Sequence, residues 1–208
     1  MTDTGNPLKN FTNELVDFAS GERRGIRNPF VMIPVEPSVE HRVTEQLIRW
    51  ADTERSDALK DWQDKDDQAG NELTVECVRL DHLMPETRVF DTVLDLGPTE
   101  GMSTEAVEET LQTSLAEELI ETLLRNHLEA GNKQHNILLL VNLGSLYPFT
   151  RASELLDELD RRNVNTTTGI PFPGSIFGGK LSFFNEDARH YYPAHRIETQ
   201  ITGGYLND

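Results

Sequence analysis

The residues closest to a known chemical motif are the glycines and the lysine of Gly174-Ser-Ile-Phe-Gly-Gly-Lys-Leu181. Glycines and a lysine at these offsets bind phosphate in a P-loop, where a serine or threonine after the lysine reaches magnesium and a helix begins. Here Leu181 stands at the magnesium position, and the strand-like Leu-Ser-Phe-Phe follows. The spacing therefore favours a glycine-rich turn that leads into a strand. The alternative is a nucleotide-binding or nucleotide-hydrolysing enzyme that uses residues 174–180.

The other side chains with catalytic or ligating chemistry form no recognisable pattern. Six histidines are scattered, without the spacing that places two metal ligands on one helix face. His190 and His195 flank two tyrosines and a proline and could meet a carboxylate in the fold, but the pattern favours ordinary surface or packing roles. The single Cys77 lies in an apolar strand pattern, which predicts a buried, inert thiol and excludes an internal disulfide. We expect no catalytic residue, no metal and no cofactor.

The loop Gly144-Ser-Leu-Tyr-Pro-Phe-Thr-Arg151 stands where an α/β protein places its function, because it follows the apolar run Ile-Leu-Leu-Leu-Val. Tyr147 and Phe149 either seal the end of the sheet or form a recognition surface, where tyrosine and arginine are enriched. Gly144 is expected to have a positive φ at the turn. Arg151, at the start of a helix, gains little from the helix dipole, so we expect it to pair with a carboxylate of this chain or of a partner.

Strands that alternate with helices must position these segments. An apolar run without alternation, as in residues 136–143, is typical of a central strand that is covered on both faces. Leucines at helical spacing after Ser103 predict the longest helix, and shorter helices are expected near residues 8–18 and 39–50. The pattern predicts an α/β fold with a mainly parallel sheet covered by helices on both faces, Rossmann-like or P-loop-like without a functional P-loop. Antiparallel edge strands are expected near the C-terminus.

Length and composition limit the organisation of the chain. Its 208 residues suit a single domain over residues 1–208, in which the polar, acid-rich residues 52–71 are expected to form an exposed acidic loop. We find no run of about 18 apolar residues. The first residues also lack the basic and then apolar pattern of a secretion signal, so a soluble cytoplasmic protein is expected.

Charge is distributed unevenly along the chain. Of the 19 basic and 36 acidic residues, 13 and 28 lie in residues 1–135, a balance of −15, and residues 136–208 have a balance of −2. This field repels phosphate, so we expect no membrane partner and no direct binding of nucleic acid. A DNA-binding adaptor stays possible as an alternative, if distant arginines converge on one patch. The acid excess, together with few lysines, indicates adaptation to concentrated salt and a halophilic archaeal host.

Three blocks near the C-terminus carry a family resemblance. Asn142-Leu-Gly-Ser-Leu-Tyr-Pro-Phe-Thr-Arg151 continues into a helix that contains leucines. Ile170-Pro-Phe-Pro-Gly-Ser-Ile-Phe-Gly-Gly-Lys-Leu-Ser-Phe-Phe184 supplies a Pro-Gly pair followed by a later glycine, leucine and phenylalanines, and Tyr191-Tyr-Pro-Ala-His-Arg-Ile197 closes the series. In this order the blocks resemble the BrxB family of the BREX bacteriophage-exclusion systems.

The resemblance implies an accessory protein of antiviral defence that has no assigned catalytic activity. It implies that the chain acts by binding, with a PglZ-like protein of the alkaline-phosphatase superfamily as the main partner and other BREX components as further partners. The partner-binding residues that we expect lie in the first two blocks: Gly144, Tyr147, Pro148, Phe149, Arg151, Pro173, Gly174 and Gly178.

Overall fold

The structure is a computed structural model that describes residues 5–21, 29–52, 74–96, 103–128, 136–178, 180–184 and 194–206. Of the predicted acidic loop 52–71, all but residue 52 lies outside the described residues. The strands are β1 Phe30–Val35, β2 Thr74–Arg79, β3 Asn136–Val141, β4 Thr167–Phe177, β5 Lys180–Phe183 and β6 His195–Arg196. The helices are α1 Pro7–Ala19, α2 Glu40–Ala51, α3 Leu80–Leu83, α4 Arg88–Leu96, α5 Thr104–Leu123 and α6 Ala152–Arg161.

Five of the strands form a parallel sheet in the order β2-β3-β4-β1-β6. The sixth strand, β5, is antiparallel and pairs with the second part of β4 as a hairpin. Antiparallel strands were expected near the C-terminus. β5 is antiparallel to β4, whereas β6 at the edge is parallel to β1. The run that sequence analysis placed at the centre, β3, is an interior strand next to β2, and the middle position belongs to β4.

β4 holds the middle of the sheet although it contains Pro171 and Pro173. The backbone N–H of Thr168 donates to Pro29 on the β1 side at 2.9 Å, so odd-numbered residues of β4 direct their nitrogens toward β3. Pairing with β3 ends at Gly169, two residues before the first proline. The nitrogens of Pro171 and Pro173 therefore lie beyond the part of β4 that forms hydrogen bonds with β3. The two prolines thus remove no hydrogen bond between strands.

Helices cover both faces of the sheet, as the unbroken apolar run predicts. Side chains of β3 alternate between the two cores: Ile137, Leu139 and Val141 pack with α1 and α2, and Leu138 and Leu140 pack with α5 and α6. Each leucine or isoleucine that is fully buried in this way contributes roughly 1.5–3 kcal/mol. Continuous burial on both faces thus explains why this run shows no polar alternation.

α5 is the longest described helix, and its sequence explains its start and its buried side. Ser103 is the N-cap, and its side chain accepts a hydrogen bond from the Ala106 N–H at 3.3 Å. The buried leucines at spacing four pack in the same core as the leucines of α6: Leu111, Leu115, Leu119 and Leu123. Among helices in the described ranges, none combines the length and the apolar character that crossing a bilayer requires.

Candidate functional site

The loops that follow β1, β2 and β3 meet at the edge of the sheet formed by the C-terminal ends of these strands. At Gly144, the loop after β3 touches the segment after β1. Its backbone N–H donates to Oε1 of Glu40, at the start of α2, at 2.8 Å. A Cβ at Gly144 would overlap the other carboxylate oxygen of Glu40 and lie 3.1 Å from Cγ of Pro173. Close approach thus favours glycine at residue 144, because a Cβ would displace the carboxylate of Glu40.

The positive φ expected at Gly144 is wrong. The left-handed residue of this loop is Asn142, with φ 63° and ψ 39°. Asparagine tolerates this conformation because its short polar side chain bonds locally, so the chain turns two residues earlier than the glycine indicates. The glycine then brings the backbone against the carboxylate of Glu40.

Two carboxylates at this edge have pKa values shifted in opposite directions. Burial raises the pKa of Glu40, and the nearby charge of Asp81 raises it further against the effect of the Gly144 hydrogen bond. Burial alone would also raise the pKa of Asp81, but hydrogen bonds from Arg79 and Asn142 and the charge of Arg79 outweigh it and lower the pKa. The guanidinium of Arg79 donates to both Asp81 oxygens, at 3.2 Å and 2.7 Å.

This polar group holds the β3 loop in place. Glu40 bonds the backbone of Gly144 and Asp81 bonds the side chain of Asn142, so both ends of a short turn are tied to neighbouring strands. Within the described ranges, no set of three or more His, Cys, Asp or Glu side chains is arranged to hold a metal ion. The polar group is best explained as a device that positions residues 144–151.

The aromatic residues of the loop pack against the hairpin. Tyr147 stacks on Phe183 with ring centroids 5.8 Å apart and lies 4.7 Å from the ring of Phe184. Tyr147 and Phe149 are both half-buried against the main core, and Pro148 between them is exposed after a cis peptide bond. The structure therefore brings the first two blocks of predicted site residues together at the sheet edge.

Arg151 is the N-cap residue of α6 and is half-buried. Its backbone N–H donates to Oε2 of Glu154 at 2.9 Å, and the hydroxyl of Thr150 donates to the same oxygen at 3.1 Å. The carboxylate of Glu154 satisfies a donor that the first turn of a helix leaves open. The start of α6 is thus fixed by Glu154, and the backbone of Arg151 is held with it.

The remaining predicted residues belong to the hairpin of β4 and β5. Gly174 faces the backbone of Ser182, whose carbonyl oxygen a Cβ would overlap. Gly178 is exposed at the turn with φ 55°, a conformation that favours glycine. The prediction of a glycine-rich turn leading into a strand is confirmed. Lys180 begins β5 as an exposed strand residue, so the helix N-terminus of a P-loop does not follow it.

Two further residues singled out in the sequence lie away from this edge. Cys77 in β2 is half-buried, and burial raises the pKa of its thiol to about 12 against the opposing charge of Arg79, which is consistent with an inert thiol. His195 in β6 meets a carboxylate, because its Nε2 lies 3.4 Å from Oε2 of Glu14 in α1. His190 lies outside the described residues.

Together, residues 144–151, 173–178 and 180–184 form what we call the loop–hairpin surface. Arg151 and Lys180 are the only charged residues in these segments, and Lys180 is the only one in the stretch 163–185. Sequence analysis missed two residues that matter here. Glu40 was not singled out, and Phe177, which is 75% exposed at the hairpin tip, was considered only as part of the glycine-rich turn. An aromatic residue directly before Gly-Gly was the available signal for Phe177.

Comparisons with known proteins identify the family. A family model described as "BREX protein BrxB" matches residues 73–197, which is more than half of the 208 residues and includes the whole loop–hairpin surface. Neither a search of curated proteins nor a search of solved structures found a match. The chain therefore belongs to the BrxB family, and by this membership it is a component of a BREX phage-defence system.

Proposed function

We propose that this chain is a non-catalytic binding component of a BREX complex and that its loop–hairpin surface docks on a PglZ-like protein. The observation that carries the proposal is the packing of Tyr147 against Phe183 and Phe184, which joins two segments of low charge into one aromatic surface. Cores of protein interfaces are poor in charge and rich in aromatic residues. A chain of net charge −17 that keeps one surface nearly free of charge is consistent with docking at that surface.

Support for a binding role without catalysis comes from the polar groups at the same edge. Glu40 and Asp81 bond the β3 loop, and the lysine of the P-loop-like segment lies on an exposed strand. We further propose that the protein works in the cytoplasm of a salt-adapted cell, without membrane or direct nucleic-acid contact, since its acidic charge repels phosphate.

Co-purification with a PglZ-like protein of the same BREX system tests the proposal. Arg151→Ala and Tyr147→Ala are the informative variants, with Arg49→Ala as the matched control, because Arg49 is 77% exposed on α2 and lies outside the surface. Loss of an interface hot spot weakens binding by about 2 kcal/mol or more. We expect Arg151→Ala to weaken the complex. Tyr147→Ala should weaken the complex and also melt earlier, since the ring packs on Phe183.

Two results would contradict the proposal. Failure of the parent chain to co-purify with the PglZ-like protein would remove that partner. A complex fully retained by both Arg151→Ala and Tyr147→Ala would remove the loop from the interface. Where the parent chain binds, Arg49→Ala should retain the complex.

A further inference from the structure

Phe177 is the most exposed large apolar side chain among the described residues. It is 75% exposed, compared with 57% for Leu94 and 40% for Ile48. Its position is also unusual, because β4 pairs with β1 only as far as Pro173 and then continues with β5. The ring therefore stands at the tip of a hairpin that extends past the end of the parallel sheet.

The hairpin is held firmly at its base. The side-chain N–H of Gln200 donates to the Gly174 carbonyl at 2.6 Å, and the Phe184 N–H donates to the Pro173 carbonyl at 3.1 Å. Gly174 allows β5 to approach so closely that a side chain has no room. A preorganised hairpin loses little conformational freedom on binding, which is the condition under which one exposed aromatic ring yields net affinity.

Charge restricts what the tip can bind. Lys180 lies directly opposite Phe177 in the hairpin and is the only charge in residues 163–185. A second copy of this chain is disfavoured, since both copies carry a net charge of −17 and pairing of two hairpins would bring lysine against lysine. The tip instead fits a different protein that offers an apolar socket with carboxylates beside it.

We infer that Phe177 is the anchor of the loop–hairpin surface: its ring inserts into an apolar socket on the partner, and Lys180 pairs with carboxylates at the border of that socket. The inference rests on the proposed partner binding. It adds the residue that contributes most to that binding and the chemistry of the partner's site. It also extends the interface beyond Tyr147 and Arg151 to the outermost residue of the hairpin.

Affinity measurements with the PglZ-like protein test this inference. Phe177→Ala should weaken binding at least about thirtyfold, which corresponds to the roughly 2 kcal/mol of an interface hot spot, at an unchanged melting temperature. Leu94→Ala, which removes a comparably exposed side chain from α4, is the matched control and should change neither quantity. Lys180→Glu should weaken binding more than Lys180→Gln, and added salt should reduce the difference between them.

The outcomes separate this inference from the proposed function. If the parent chain binds and Phe177→Ala binds equally well, the anchor is wrong while partner binding stands. If the parent chain does not bind, the proposed function fails and the anchor fails with it. A third result would also overturn the anchor: light scattering that shows a dimer of this chain alone, lost in Phe177→Ala, while binding to the PglZ-like protein is unchanged.

Discussion

Residues 1–135 and residues 136–208 build one sheet but differ sharply in charge. The first part has a balance of −15 and contributes β1 and β2, whereas the second has a balance of −2 and contributes β3 and β4. Arginines of the acidic part lie in exposed ion pairs such as Arg88–Glu121, at 3.3 Å, and still leave a large excess of acid. The difference teaches that acids of the first part have two kinds of role: exposed acids such as Glu108 and Glu109 face solvent, whereas Glu40 and Asp81 hold the β3 loop. Under the proposed function, the nearly neutral part is the one that contacts the partner.

The largest change in stability is expected from salt, because salt screens all the charges at once. Raising KCl from about 0.1 M to about 2 M shortens the Debye length from about 10 Å to less than 3 Å. If self-repulsion of the acidic part limits stability, the melting temperature should rise strongly with salt.

A double substitution tests whether acids of the first part cause this dependence on salt. Glu108 and Glu109 are exposed on α5, and replacing both by Gln should raise the melting temperature at low salt and reduce its dependence on KCl. Equal melting temperatures of the parent chain in low and high salt would contradict adaptation to concentrated salt.

A steric change in the neutral part should have the next largest effect. Gly174→Ala places a Cβ where the Ser182 carbonyl oxygen lies, so the hairpin has to open or shift. Overpacking against backbone costs about 3 kcal/mol, which thermal or urea unfolding will detect. We expect the partner complex to weaken as well, because the tip loses its support.

Gly178→Ala is the control at the turn of the same hairpin. Nothing lies within 4 Å of its Cβ position, so its cost comes only from φ 55° and should be about 1 kcal/mol. If the two alanine variants are equally stable, close approach is not what Gly174 provides.

The smallest expected effect concerns the buried acid Glu40. Because burial raises its folded-state pKa above the ordinary 4.5, the native state binds this proton more tightly. The stability that the group contributes is then present below pH 4.5 and is lost as pH rises through the folded-state pKa. Glu40→Gln does not titrate, so its melting temperature minus that of the parent should become more positive from acid toward neutral pH.

Glu45→Gln is the control for this pH series. Glu45 lies on the same helix but is 64% exposed, so its replacement should shift the melting temperature little at any pH. A difference between Glu40→Gln and the parent that stays constant with pH would show that burial of Glu40 has no energetic consequence.

Local patterns predicted much of the fold. The apolar run of β3, the leucines of α5 with Ser103 as the N-cap, and the turn before Lys180 were recognisable because each depends on neighbours in the chain. The middle position of β4 was not recognisable. Threonines and two prolines argue against a central strand, and only the sheet reveals that pairing with β3 ends before the prolines.

By itself, the sequence determined the α/β class, the concentration of acid in residues 1–135 and the blocks of the BrxB family, because composition, periodicity and motif order are properties of the chain alone. The tertiary structure decided why Gly144 is glycine, since the carboxylate of Glu40 that excludes a side chain there is distant in sequence. It also decided that Phe177 is exposed. Which apolar residues remain uncovered depends on where every other element ends. The aromatic residue before Gly-Gly indicates a position at a turn, but it does not indicate whether another element covers the ring.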